Sequence, residues 1–497
     1  MTTNSRTSLA GAGWERCSGC GDWKADVPPD AKPLSWLRPG TLWRSRNDII
    51  ARRFHDPVDA ARMRWVALAR ERARRDGASE DFIVPRGDGS GSVSFLVAGD
   101  TGEGDDSQYA VVPGLVARSD GVDFAVLCSD LTYPTGDIGD FENRFYLPYA
   151  RLDLPLFGLP GNHDWYDGLH GFMHHLCGID EPDQKLDFGG GVKRWLAERL
   201  WRRAPQVDST MLQKMKTHRE GSKQVLDPPQ PGPYIAIDAG PLRLVTIDTG
   251  IQGQIDAEQA AWLRRVSIGD PKPKILLTGK PIYVDNQHHP GPIDGESATV
   301  DDIVRDPGAN YVAAIGGDIH NYQRYPVRLP DGRLMQYVVS GGGGAFMHAT
   351  HQIPKVDVGG VAESEFRCYP LRGDSLARYS QLYDRKLHTG QRLELSPDEG
   401  MTYMCELLDM PLTRPGEAKL SARARRAGKL IQPLPATRGF HKFVSEAFDW
   451  NDPPMFKSFL RLDATPEAVR VRCFGVSGCK EAEHDPPVED EFTIPLA

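Results

Sequence analysis

Four short clusters place oxygen and imidazole donors directly after apolar runs: Ala98-Gly99-Asp100-Thr101-Gly102, Ser129-Asp130-Leu131-Thr132-Tyr133, Pro160-Gly161-Asn162-His163-Asp164 and Gly317-Asp318-Ile319-His320-Asn321-Tyr322. One such cluster would mean little, because a strand commonly ends at Asp or Asn simply to make a turn. Several within one region imply a shared task. Hydrolysis of a phosphate ester, for example, requires a neutralised substrate charge, hydroxide at neutral pH and a protonated leaving oxygen. Two cations ~4 Å apart supply the first two. Bridging such a pair calls for a shared carboxylate, and Asp130 is the candidate.

Positioning these donors falls to the runs that precede them. From Ser92 the chain shows short apolar stretches, VSFLVAGD, FAVLCSD, LPLFGLPGNHD, LRLVTIDTG, KILLTGK, YVAAIGGDIH and QYVVSGGGG, each closed by Gly, Asp or Asn. Such runs read as strands buried on both faces. Helical patterns fall between several of them, as in Asp256 to Val266, where Asp256 is a plausible N-cap and Ala260, Leu263 and Val266 form an apolar face. Alternation of this kind predicts a layered α/β domain, whose strand-end residues gather along one sheet edge. Around this core, residues 89–353, the sequence divides into a partly helical extension (1–88, helical from Trp43 to Arg75), an insertion with no sustained period (354–437) and a β-rich end (438–497). In the last of these, FKSFLRLDA and EAVRVRCFGV flank a Thr465-Pro466 turn and predict a hairpin that extends a sheet.

Composition is that of an ordinary globular protein, 40% hydrophobic and 26% charged. A net charge of -9 gives no global positive field, which disfavours general nucleic-acid binding. The locally basic Ala61 to Arg75 reads as a helix with Met63, Val66 and Leu68 on its apolar face and its arginines in solvent. No stretch has the roughly 18 apolar residues of a membrane span, and Met1 to Trp14 lacks the apolar core of a secretory signal, so the expectation is a cytoplasmic protein. The eight cysteines do not form a disulfide scaffold pattern, and most read as buried or incidental thiols. Cys17 and Cys20 have zinc-knuckle spacing without a second CxxC, and only Cys473 and Cys479 are spaced to partner them.

The order GDxG, (G/S)DxxY, GNHD and GxxHxY resembles the calcineurin-like metallophosphoesterases, in particular their purple acid phosphatase branch, with Ser129 where that family usually has Gly. The resemblance covers roughly residues 92–345. PGNHDWYDG, GDIHNYQRY and GGGGAFMHATH are also similar to a bacterial subgroup of the superfamily. It implies a layered αββα sandwich and a metal-dependent phosphoester hydrolase that acts on a small phosphoester by metal-activated water. Position by position, it implies that Asp100, Asp130, Tyr133 and His320 ligate a first metal, a hard donor set suited to Fe(III) or Mn(II). Gly102 stands where the wider superfamily has a His, as in the branch that uses the Tyr. A second metal would take Asp130, Asn162 and two further His. Here the family's HxP segment reads Gly279-Lys280-Pro281 and its GHxH segment reads Gly317-Asp318-Ile319-His320. Asp318 remains as a ligand for weaker Mn(II), Mg(II) or Ca(II), and Lys280 offers a positive charge where the cation is weakened. His288, His289, His348 and His351 are further candidates to replace a ligand. His163 is implied near the leaving group, with Asp164 orienting its ring.

Other features carry less. Gly341 to Gly344 fits either backbone amides approaching a phosphate or a tight turn; His348 and His351 at HxxH spacing read as structural, and Cys128 as a buried strand residue. The two altered metal positions also admit a different class of function, a metal-binding regulatory protein of weak or no activity on the same fold.

Overall fold

Each of the apolar runs forms a strand in the computed structural model, which describes residues 14, 17–29, 31, 34–86, 91–180, 186, 188–225, 228–411, 419–437, 440 and 452–496. The strands are β1 (Ile83–Arg86), β2 (Val93–Gly99), β3 (Phe124–Cys128), β4 (Leu156–Leu159), β5 (Ala236–Ala239), β6 (Leu242–Ile247), β7 (Lys274–Thr278), β8 (Tyr283–Val284), β9 (Gln287–His288), β10 (Tyr311–Gly316), β11 (Tyr322–Arg328), β12 (Leu334–Ser340), β13 (Arg367–Tyr369), β14 (Lys457–Ala464), β15 (Ala468–Val476) and β16 (Val488–Pro495). One large sheet runs β1-β5-β6-β7-β10-β12-β11-β13, the other β16-β15-β14-β2-β3-β4, and β8 and β9 form a small two-stranded sheet. The largest hydrophobic cluster among the described residues joins the two large sheets, and helices flank the pair: an α/β sandwich.

The strands that carry the donors are parallel: β2 with β3, β3 with β4, β7 with β10. Parallel pairing needs helical crossovers and buries both strand faces, which is why these strands are apolar throughout and polar only at their ends. Between β6 and β7 the crossover is helix Ala257–Ser267, and the Asp256 side chain caps it by accepting from Gln259 N–H. The predicted C-terminal hairpin is β14–β15, and β14 pairs with β2 on its other edge, so the chain end completes the sheet that holds Asp100 and Asp130.

Four expectations change. The 354–437 region is mainly helical where described, with helices Arg372–Leu387, Pro397–Leu408 and Ala422–Ile431, the latter two capped by Ser396 and Ser421; residues 412–418 lie outside the described residues. In the basic helix Val58–Asp76, Met63 is exposed, while Arg62 is 1% exposed and pairs with Asp59, Asp248 and Asp256 at 2.8–2.9 Å. A buried guanidinium is tolerated because three carboxylates surround it, and burial, the largest influence, is outweighed by them, leaving it charged. Cys17 is joined to Cys479 by a disulfide, while Cys20 is a free, exposed thiol. Finally, the N-terminal region is no mere appendage: Trp36 lies fully buried against the core, and Asp248 ties Arg62 to Trp165 Nε1 of the β4 loop at 2.8 Å. Residues 1–13 and 438–439 and 441–451 of the outer segments lie outside the described residues.

Candidate metal centre

The loops after β3, β4, β6, β7, β10 and β12 line a cavity of about 650 Å³, and Asp100, from the loop after β2, lies behind its wall against Tyr133. Their backbones are bent sharply where the donors sit: Asp100, Ser129, Asp130 and Asp318 all adopt positive φ, of 56°, 76°, 42° and 66°. Asp tolerates this region better than most residues, but each such residue still costs of order 1–3 kcal/mol, and such strain clusters at functional sites. The φ of 76° at Ser129 also accounts physically for a glycine preference at that position.

Tyr133 Oη is the focus of the centre. It lies 3.3 Å from Asp100 Oδ1, 3.1 Å from Asp130 Oδ2 and 3.1 Å from His320 Nε2. All four side chains are buried. The sequence-predicted first ligand set is thus one constellation. His320 Nδ1 lies 2.7 Å from the Phe346 carbonyl, which can only accept, so a ring hydrogen sits on Nδ1 and Nε2 faces the Tyr133 oxygen. Burial, then the neighbouring Asp130, holds the Asp100 carboxyl well above the usual range. Burial, then Asp318, pushes Asp130 up to about 7, and burial with both carboxylates raises the Tyr133 phenol. Asp100 Oδ2 is buried without a well-formed hydrogen bond, the backbone N–H of Asp318 easing its charge. Crowded acidic groups and a buried bare oxygen are what a hard cation would relieve, so the residues fit one.

On the far side of Asp130 the picture differs. Asn162 donates from Nδ2 to Tyr166 Oη at 2.8 Å, and Lys280 Nζ lies 2.6 Å from Asp318 Oδ1. Gly279 brings no donor. Of the histidines held in reserve, His288 Nε2 is 2.7 Å from Asp301 Oδ2, and His348 stacks on the His320 ring at 4.2 Å. His351 lies between Ser375 Oγ and the Leu434 carbonyl, at 2.8 and 2.7 Å. The HxxH pair therefore does not converge, and His351 is structural.

His163 lies at the cavity wall, boxed by Tyr133, Tyr166 and Trp36 with ring centroids 4.5, 4.6 and 5.5 Å away. Its Nδ1 is 2.9 Å from the Pro134 carbonyl, which orients the ring and leaves Nε2 as the nitrogen that exchanges a proton. Asp164 does not orient that ring as expected. Its carboxylate instead accepts from the backbone N–H groups of Leu131, Thr132 and Gly161 at 2.9–3.3 Å, lashing the β4 loop to the β3 loop and so holding Asp130 in place. Asp130 Oδ1 in turn accepts from the His163 N–H at 2.8 Å.

Gly341 to Gly344 serve close packing. A Cβ would stand 2.3 Å from the Ile319 carbonyl at Gly341 and 2.5 Å from the Gly99 carbonyl at Gly343. Cys128 bridges the sheets, its thiol donating to the Thr278 carbonyl at 3.3 Å. Sequence reasoning missed Trp36, Asp48 and Arg52, which bring the N-terminal region to the cavity. No local motif marks them, and only the apolar bulk of Trp36 hinted at burial.

Among solved structures, the chain is similar to a purple acid phosphatase from yellow lupin (Lupinus luteus) at 12% identity and TM-score 0.39, covering 81% of this chain and 54% of that one. This chain therefore spans about half the length of the lupin protein. It is also similar to GAP50, the anchor in the inner membrane complex of Plasmodium (9% identity, TM-score 0.39, 82% and 89% covered), and to PhoD (10% identity, TM-score 0.36, 82% and 70% covered). No curated protein sequence matches the chain. The segment that carries every donor from Asp100 to His320, residues 93–322, matches the family model described as Calcineurin-like phosphoesterase.

Proposed function

We propose that the chain is a metal-dependent phosphoester hydrolase whose principal cation is held by Asp100, Asp130, Tyr133 and His320. The observation that carries this reading is the convergence of two carboxylates and an imidazole within 3.3 Å of the Tyr133 oxygen, at a cavity that also holds His163. When bound, a metal would neutralise phosphate charge and acidify a water. The chain's own residues do the rest. His320 presents a fixed Nε2, and His163, oriented by the Pro134 carbonyl, delivers a proton from Nε2 to the leaving oxygen. Trp36 and Tyr166 pack against that ring and restrict its movement at the cavity wall.

Fe(III) or Mn(II) suits the phenol-containing donor set, and Asn162 and Asp318 offer at most a weaker site for Mn(II), Mg(II) or Ca(II). The substrate is a small phosphoester. No helix among the described residues is long and apolar enough to cross a membrane. A cytoplasmic location, expected from sequence, sits poorly with the Cys17–Cys479 bond, because thiols are kept reduced there. Protein purified without added metal and dialysed should retain about one metal per chain and hydrolyse members of a phosphomonoester and phosphodiester panel, losing that activity to a chelator and regaining it on addition of Mn(II). Tight metal binding with no turnover of any ester would replace this reading by the regulatory one.

A further inference from the structure

Beyond Asp130, the positive charge in the cavity belongs to the chain itself. Lys280 and Asp318, with side chains 22% and 23% exposed, form an ion pair at 2.6 Å in the cavity that Asp130 and Asn162 also line. Lys280 eases the charge on Asp100 and Asp130, whereas Asp318 makes that charge costlier on both. The lysine stem is housed by Gly253, where a Cβ would come within 2.7 Å of Lys280 Cδ. Next to the lysine, Gly279 cannot be given a side chain freely, since a Cβ would stand 2.8 Å from Thr249 Oγ1 and 3.2 Å from the Pro160 carbonyl. Room for the ammonium and closure of the neighbouring ligand position are thus built by different residues. Both favour a lysine over a metal.

We propose that the Lys280 ammonium, clamped by Asp318, stands in place of a second cation, so that the centre works with one metal and one lysine. The inference rests on the hydrolase reading and deepens it. An ammonium offers three N–H donors; one is given to Asp318, and the others serve a phosphoryl oxygen of the substrate. A fixed lysine cannot be removed by chelators or exchanged, and it neutralises Asp318 without bridging to Asp130.

Mn(II) stoichiometry, read by calorimetric titration and elemental analysis, tests the assignment independently of turnover, with inorganic phosphate as the anion probe. Wild type should bind one equivalent of Mn(II), and Lys280→Arg, which keeps the charge, should do the same. Lys280→Met leaves Asp130 and Asp318 unopposed and should admit a second, weaker equivalent, while phosphate binding to protein loaded with one Mn(II) weakens about tenfold or more. Wild type that takes a second equivalent, tight or weak, or a Lys280→Met protein whose stoichiometry and phosphate affinity match wild type, overturns the proposal. If the stoichiometry changes as stated but no ester is turned over by wild type, the lysine assignment stands and the hydrolase reading fails.

Discussion

On one side of Asp130, a phenol, a second carboxylate and an imidazole crowd together; on the other, an amide bonded to a tyrosine and a carboxylate paired with an ammonium line the cavity. The first group is out of balance as it stands. Its carboxyls and phenol are pushed toward their protonated forms by burial and by one another, and its histidine aims Nε2 inward. The second is internally neutral, each group having a partner of opposite sense. On the proposed reading, one shared carboxylate separates a half that a cation would relieve from a half that supplies its own, and such a need is recognised by unrelieved charge more securely than by counting histidines.

The largest effect should come from Asp130→Asn, which strips the shared carboxylate from both halves. Bound metal and activity should both fall to background, because an amide cannot replace the charge. The backbone should still fold, since an amide oxygen can accept the His163 N–H that Oδ1 now takes at 2.8 Å. Elemental analysis alongside circular dichroism checks this, and normal metal content in the variant would mean that the centre lies elsewhere.

His163→Ala probes a residue that belongs to neither half. Turnover should fall roughly 10²–10⁴-fold, the range of a general acid, with metal content near wild type. The loss should shrink for nitrophenyl esters, whose leaving groups need little protonation. Equal losses for nitrophenyl and alkyl esters would assign His163 to electrostatic stabilisation instead.

Tyr133→Phe sharpens the comparison from the metal-demanding side. Iron-loaded, oxidised protein should show a visible phenolate-to-iron band that the substitution abolishes, and removing the oxygen at the centre of the constellation should weaken metal retention during dialysis. A band that persists in the variant would move the phenolate to another tyrosine.

How much of this was written in the sequence follows from distance along the chain. Asp100, Asp130, Asn162 and His320 were legible because each ends an apolar run, and parallel strands bring such ends to one edge. The Asp256 cap was legible because it acts within three residues. The role of Asp164 is not legible locally, because its three backbone partners lie on two different loops rather than on its neighbour His163. Arg62 reads as solvated in sequence because the carboxylates that surround it include Asp248, 186 residues away. The Cys17–Cys479 bond spans 462 residues and the Trp36 contact with Tyr133 joins separate layers, so neither leaves a periodic or local trace. The helices of residues 354–437 were obscured by intervening Pro and Gly, though Leu376, Tyr379 and Leu382 have helical spacing and are buried.

The smallest predicted effect concerns Ser129, the residue on which the turn between β3 and Asp130 pivots. Its φ of 76° is costly for a side chain, and its hydroxyl is buried with no hydrogen bond. Ser129→Gly would remove the strain, about 1 kcal/mol or more, and an unsatisfied polar group whose burial costs about 1–3 kcal/mol. Against this stands the greater flexibility of glycine in the unfolded chain, about 0.5–1 kcal/mol, and the loss of a small packed side chain. The net should be a stabilisation of about 1 kcal/mol, read as a raised midpoint in urea with an unchanged slope. Metal content should not change, since the Asp130 carboxylate remains held by the His163 N–H. If the variant is instead less stable and loses metal, the Ser129 side chain, wedged against Gly161 and Gly317, is needed to keep Asp130 on the boundary between the two halves.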